Sequence, residues 1–180
     1  GVPLTVADLV YMIRVITGDA EPIAEDLLGS GPKVAAAVGT LDVTAAQKGT
    51  NLTIKASSDQ DLGAGLFVFK YDAEISEVTL ADRASDMDVT YEAVHGELRV
   101  LVYNIEDGAK VAAGTGELMT VVSTGSVELV SVEAASFMGG TLETNVTAKV
   151  IPTAYALHQN YPNPFNPATS MAIDFPNAGN

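Results

Sequence analysis

Between residues 33 and 152 the chain is cut into short runs rich in β-branched and aromatic residues, separated by Gly, Asn, Asp and Ser, with no helical period among them. That punctuation predicts strands over Val38–Ala45, Asn51–Ala56, Gly65–Tyr71, Glu77–Leu80, Val89–Val94, Glu97–Tyr103, Glu117–Ser123, Ser126–Ala134 and Glu143–Ile151. Leu66-Phe67-Val68-Phe69-Lys70-Tyr71 is nearly continuous in apolar residues, as a central strand is. Leu98–Tyr103 is expected to pair with Val89–Val94 across a tight turn at His95-Gly96. Nine strands without intervening helices argue for an all-β fold, an antiparallel β-sandwich. A chain of 180 residues that is 47% hydrophobic supports one such core with appendages at either end.

The appendages have different patterns. Val6, Leu9, Val10, Ile13 and Ile16 recur at the spacing of one short amphipathic helix over Thr5–Thr17, with Thr5 and Asp8 as a capping pair and Gly18 as its end. A second helix or turn over Ile23–Leu28 precedes a Gly29-Ser30-Gly31-Pro32 linker. At the other end, the prolines of 161–167 set turns in an extended C-terminal segment, and Ser170–Phe175 alternates as one half-buried strand. The expected organisation is therefore 1–32 helix and linker, 33–152 sandwich, and 153–180 proline-rich tail.

Each of these regions resembles a known module. Residues 65–80 (GLFVFKYDAEISEVTL) with 96–104 (GELRVLVYN) resemble cohesins, which implies a cohesin-like jelly roll. VADLVYMI at 6–13 resembles the second half of a dockerin repeat. That likeness implies Asp8 as the last acidic ligand of a calcium loop, whereas the residues alone read it as a carboxylate capping a helix start. Leu157-His158-Gln159-Asn160-Tyr161 through Thr169 resembles the opening of the type A, immunoglobulin-like C-terminal sorting domain of type IX secretion. That resemblance implies a protein secreted to, or held at, the surface of a Gram-negative cell, and any signal peptide is expected to have been removed or to lie outside these residues.

Composition excludes several classes of function. With no cysteine there is no disulfide, thiolate metal site or cysteine nucleophile. A formal charge of −14 repels nucleic acid and anionic lipid, and no uncharged apolar run is long enough to insert into a bilayer. His95 falls in a hairpin turn and His158 in the tail, and neither has the buried acid that a catalytic triad needs, so the protein is read as a non-enzyme without a cofactor. Two acidic groups, Asp82/Asp86/Asp88 and Asp59/Asp61, are candidates for calcium against the plainer reading of solvated loops. Gly63-Ala64-Gly65 and Gly114-Thr115-Gly116 lack the lysine and following helix of a phosphate loop and read as turns. Tyr71, Tyr91 and Tyr103 form a sugar-stacking platform if they share a face, and pack in the core if they do not. Asn51 and Asn145 head Asn-x-Thr triplets and are candidate glycosylation sites.

A marginal helix and a lone strand both need partners for their apolar faces. The leading expectation is a structural protein that polymerises with other copies of itself, head to tail, into an extracellular fibre. Leu9, Val10 and Ile13 of the helix, and Met171, Ile173 and Phe175 of the strand, would make the joints. The other arrangement folds both ends back onto their own sandwich. The alternative function is a cohesin-type receptor for a dockerin, or a carbohydrate-binding module for a polysaccharide.

Overall fold

The computed structural model of the protein describes residues 4–17, 36–105, 108–150, 156–157, 170 and 173–174. Helix α1 runs over Val6–Thr17. Its start is closed reciprocally: the Thr5 main-chain N–H donates to Asp8 Oδ2 at 2.8 Å, and the Asp8 N–H donates to Thr5 Oγ1 at 3.2 Å. Two otherwise orphaned donors are satisfied in this way, and Asp8 is the capping carboxylate that the residues alone suggest.

The sandwich strands are β1 (Gly39–Lys48), β2 (Asn51–Ser58), β3 (Leu62–Tyr71), β4 (Ile75–Leu80), β5 (Asp88–Val94), β6 (Glu97–Tyr103), β7 (Gly114–Ser123), β8 (Val127–Ser136) and β9 (Thr141–Val150). They pair in the order β4-β7-β2-β1-β9-β8-β3-β6-β5. Their pairing is antiparallel except between β1 and β9, which lie parallel from Gly39↔Leu142 to Gln47↔Val150. Strand β9 meets β8 only at Ala134↔Leu142 and Ala135↔Thr141 before it runs on beside β1. The sheet turns its corner there, so β4-β7-β2-β1-β9 forms one leaf and β8-β3-β6-β5 the other.

One core fills the space between the leaves. Leu41, Ile54 and Val121 from the first leaf join Phe67, Phe69, Val100 and Leu129 from the second. Alternation explains the membership, since in β1 Leu41, Val43 and Ala45 are buried while Asp42 and Thr44 face out. Each large side chain of this group stabilises the fold by about 1.5–3 kcal/mol. His95 (φ 52°) and Gly96 (φ 82°) both take left-handed backbone in the β5–β6 hairpin, the two-residue turn that matches strand twist.

The glycine pairs read as turns belong instead to strands. Gly63 and Gly65 lie inside β3, and Gly114 and Gly116 open β7. At Gly63 the reason is a close approach: an added Cβ would stand 2.8 Å from Phe137 Cα and 2.9 Å from the Ser136 carbonyl oxygen.

In the tail, β10 (Ala156–Leu157) pairs with β11 (Ile173–Asp174), antiparallel, with Leu157 opposite Ile173. The alternating strand thus has a backbone partner inside its own segment at Ile173 and Asp174. Met171, Phe175, His158, Gly18, the Ile23–Leu28 stretch and both expected domain boundaries lie outside the described residues.

Candidate docking face

The second leaf has an outer face as well as a core face. Because side chains alternate, β3 sends Phe67 and Phe69 inward and Ala64, Leu66, Val68 and Lys70 outward. Register places Ala135 beside Ala64, Glu133 beside Leu66, Ser131 beside Val68 and Glu128 beside Lys70. On the other side of β3, Leu101 lies opposite Leu66 and Arg99 opposite Val68. Strand β5 completes the face with Asp88, Thr90 and Glu92, opposite Tyr103, Leu101 and Arg99.

Helix α1 is seated on part of this surface. Val6 and Val10, 6% and 4% exposed, pack with Ala64 and Ala135, and Ala7, Leu66 and Tyr103 close around them. Alanine on the sheet lets the helix axis come close, so valine-sized side chains suffice to fill the gap. Two polar contacts hold the ends of the helix. The Val6 N–H donates to Glu133 Oε1 at 2.9 Å, and Arg14 Nη1 donates to the Met138 carbonyl at 3.0 Å. The Arg14 guanidinium also lies 5.8 Å from the centre of the Phe137 ring, with Lys110 Nζ at 5.1 Å from the same ring. Past the helix the apolar row continues to Val68 and Leu101, both half-buried, and then to Arg99, whose Nε donates to Glu97 Oε1 at 2.7 Å.

The expected joint residues are split by this arrangement. Val10 is spent inside the chain's own fold, and Leu9 and Ile13 are half-buried on the same helix. Ile173 is paired through its backbone with Leu157. The tyrosines do not share a face: Tyr71 packs against the main core, whereas Tyr103 lies under α1 on the far side of the sheet. Asn51 and Asn145 are exposed, and Asn145 Nδ2 donates to Asp42 Oδ1 at 2.9 Å. Sequence reasoning missed Ala64, Leu66, Glu133 and Ala135 as one surface. The available signal was β3 itself, whose apolar residues point both ways and so require a cover on both sides.

Of the acidic candidates, Asp59 and Asp61 serve as loop ties. Asp59 Oδ1 accepts from the Thr40 N–H at 2.8 Å. Asp61 pairs with Lys110 at 2.5 Å and accepts from the Ala113 N–H at 2.9 Å. Asp82 begins a 3-10 turn at Asp82–Ala84, and among the described residues no three metal-ligating side chains gather. The Lys110 hydrogen bond, helped by the Ala113 N–H, holds the Asp61 carboxyl below the usual carboxylate range. A carboxyl depressed on folding adds stability above its ordinary value, and this is lost as pH falls through the lowered one. Asp61→Asn is therefore expected to lower the urea midpoint at pH 7, by an amount that shrinks as the pH is brought down through the acid range. A midpoint equal to the parent's at pH 7 would show that the tie contributes nothing.

Among solved structures, the chain is similar to a chain of a type I cohesin–dockerin complex from Clostridium thermocellum, with 14% identity and a TM-score of 0.54 over 66% of this chain and 97% of that one. The chain has the cohesin fold. It also resembles a non-cellulosomal cohesin from the archaeon Archaeoglobus fulgidus, with 14% identity and a TM-score of 0.47 over 63% of this chain and 92% of that one. A cohesin module from a Clostridium perfringens family 33 glycoside hydrolase matches with 16% identity and a TM-score of 0.41 over 63% of this chain and all of that one. No protein-family model and no curated protein matches the sequence. In this cohesin fold the outer face of β8-β3-β6-β5 carries a seated helix.

Proposed function

We propose that the protein is a non-catalytic extracellular binding module whose outer β8-β3-β6-β5 face receives an amphipathic helix of a dockerin-type partner. The observation that carries this reading is α1, the chain's own helix, which sits on the face through Val6 and Val10 against Ala64 and Ala135. The cohesin fold supports it, since a structure with this fold is that of a cohesin–dockerin complex. The sorting-type motif at 157–169 supports export. Titration calorimetry against a dockerin-bearing protein from the same cell tests the reading. Saturable binding at 1:1 is expected, and no heat with any such dockerin overturns it.

A second reading, the head-to-tail fibre, is favoured by the two strands that end the sheet, β4 and β5. β5 is exposed along most of its length and offers an edge to an added strand. Size-exclusion elution of the full chain separates the two readings, because a monomer at every concentration removes the fibre.

A further inference from the structure

We infer that α1 is a displaceable cover over the docking face, and that the partner which replaces it is a longer amphipathic helix with basic flanks. This rests on the reading of that face as helix-receiving.

The contact is a satellite of the fold. Val6, Val10, Ala64 and Ala135 form a cluster separate from the one between the leaves, so lifting α1 leaves the main core whole. A helix of 12 residues does not persist alone in water, so α1 exists by virtue of the surface beneath it. It also leaves apolar surface only partly covered. Val68 and Leu101 continue the row beyond its footprint, while Met12 and Ile16 of the helix itself face solvent. A longer helix gains what α1 leaves unused.

Charge specifies the flanks. The face displays Asp88, Glu92, Glu97, Glu128 and Glu133 against Lys70 and Arg99. α1 carries one acidic residue, Asp8, and one basic residue, Arg14, so its charges do not offset the acidic excess of the surface. A helix with valine-sized contacts four residues apart and lysine or arginine on either side matches better.

Tethered to the sandwich, α1 competes at the high effective concentration that a linker provides. A fluorescein-labelled peptide of residues 1–17 serves as the probe, with fluorescence anisotropy as the readout. Full-length chain carrying Val6→Asp and Val10→Asp is expected to bind this peptide about tenfold or more tightly than the unsubstituted chain, since its own helix no longer competes. Equal affinity for the two forms overturns the cover and leaves the face a helix receptor. Binding by neither overturns both. Hydrogen exchange on the unsubstituted chain reads the same property without a variant. Amides of Leu9–Ile13 are expected to exchange through local opening while those of Phe67–Phe69 stay protected, and equal protection overturns the proposal.

Discussion

Phe67→Ala is expected to destabilise the sandwich by about 3–5 kcal/mol. Phe67 is fully buried in β3 and stands between Val100 of β6 and Val132 of β8, so its ring packs at the centre of the β8-β3-β6-β5 leaf on its core side. Truncation removes the apolar area of the ring and leaves a cavity. The strands around it are tied into ladders on both sides and have little freedom to collapse into that space. Urea unfolding followed by circular dichroism measures the loss, which should appear as a lower midpoint at unchanged slope. A loss below about 1 kcal/mol would mean that the leaf repacks around the gap, contrary to a core held rigid by two flanking strands.

Leu101→Asp is expected to weaken binding of a dockerin-type helix by about 100-fold, the scale of a single well-packed anchor at an interface. Leu101 points away from the core and is half-buried beside Leu66, in the apolar row that continues past α1. An aspartate there places an unpaired charge under an incoming apolar side chain without touching the space between the leaves. Thr44→Asp, on the exposed side of β1 in the other leaf, is the matched control and should bind as the parent does. Calorimetry on the three proteins decides it. Equal affinity of the Leu101 and Thr44 variants would move the docking site off this face.

The nine sandwich strands were legible because each is a local event. Apolar alternation within a run, and turn residues between runs, mark a strand such as Leu98–Tyr103 or a hairpin such as His95-Gly96 without reference to the rest of the chain. The parallel pairing of β1 with β9 was not legible, because it joins residues about a hundred positions apart and depends on where β9 leaves β8. The glycines of β3 were misread for a related reason. Gly63 is required by Phe137 passing close to it, and that neighbour is remote in sequence. At the site, the amphipathic pattern of α1 announced that a cover was needed for Val6 and Val10. It carried no information on whether that cover was the chain's own sheet or another copy, because apolar faces are not directional.

The β1–β9 ladder has a mechanical consequence. The chain enters β1 at Gly39, beside Leu142, and leaves β9 at Val150, beside Gln47. Entry and exit are therefore at opposite ends of two parallel neighbours. A pull on the segments before β1 and after β9 slides the two strands lengthwise past each other, so every hydrogen bond of the ladder bears the load together and none can be unzipped first. A module anchored at one end and loaded at the other would resist unfolding along this direction far better than along any hairpin of the same sheet.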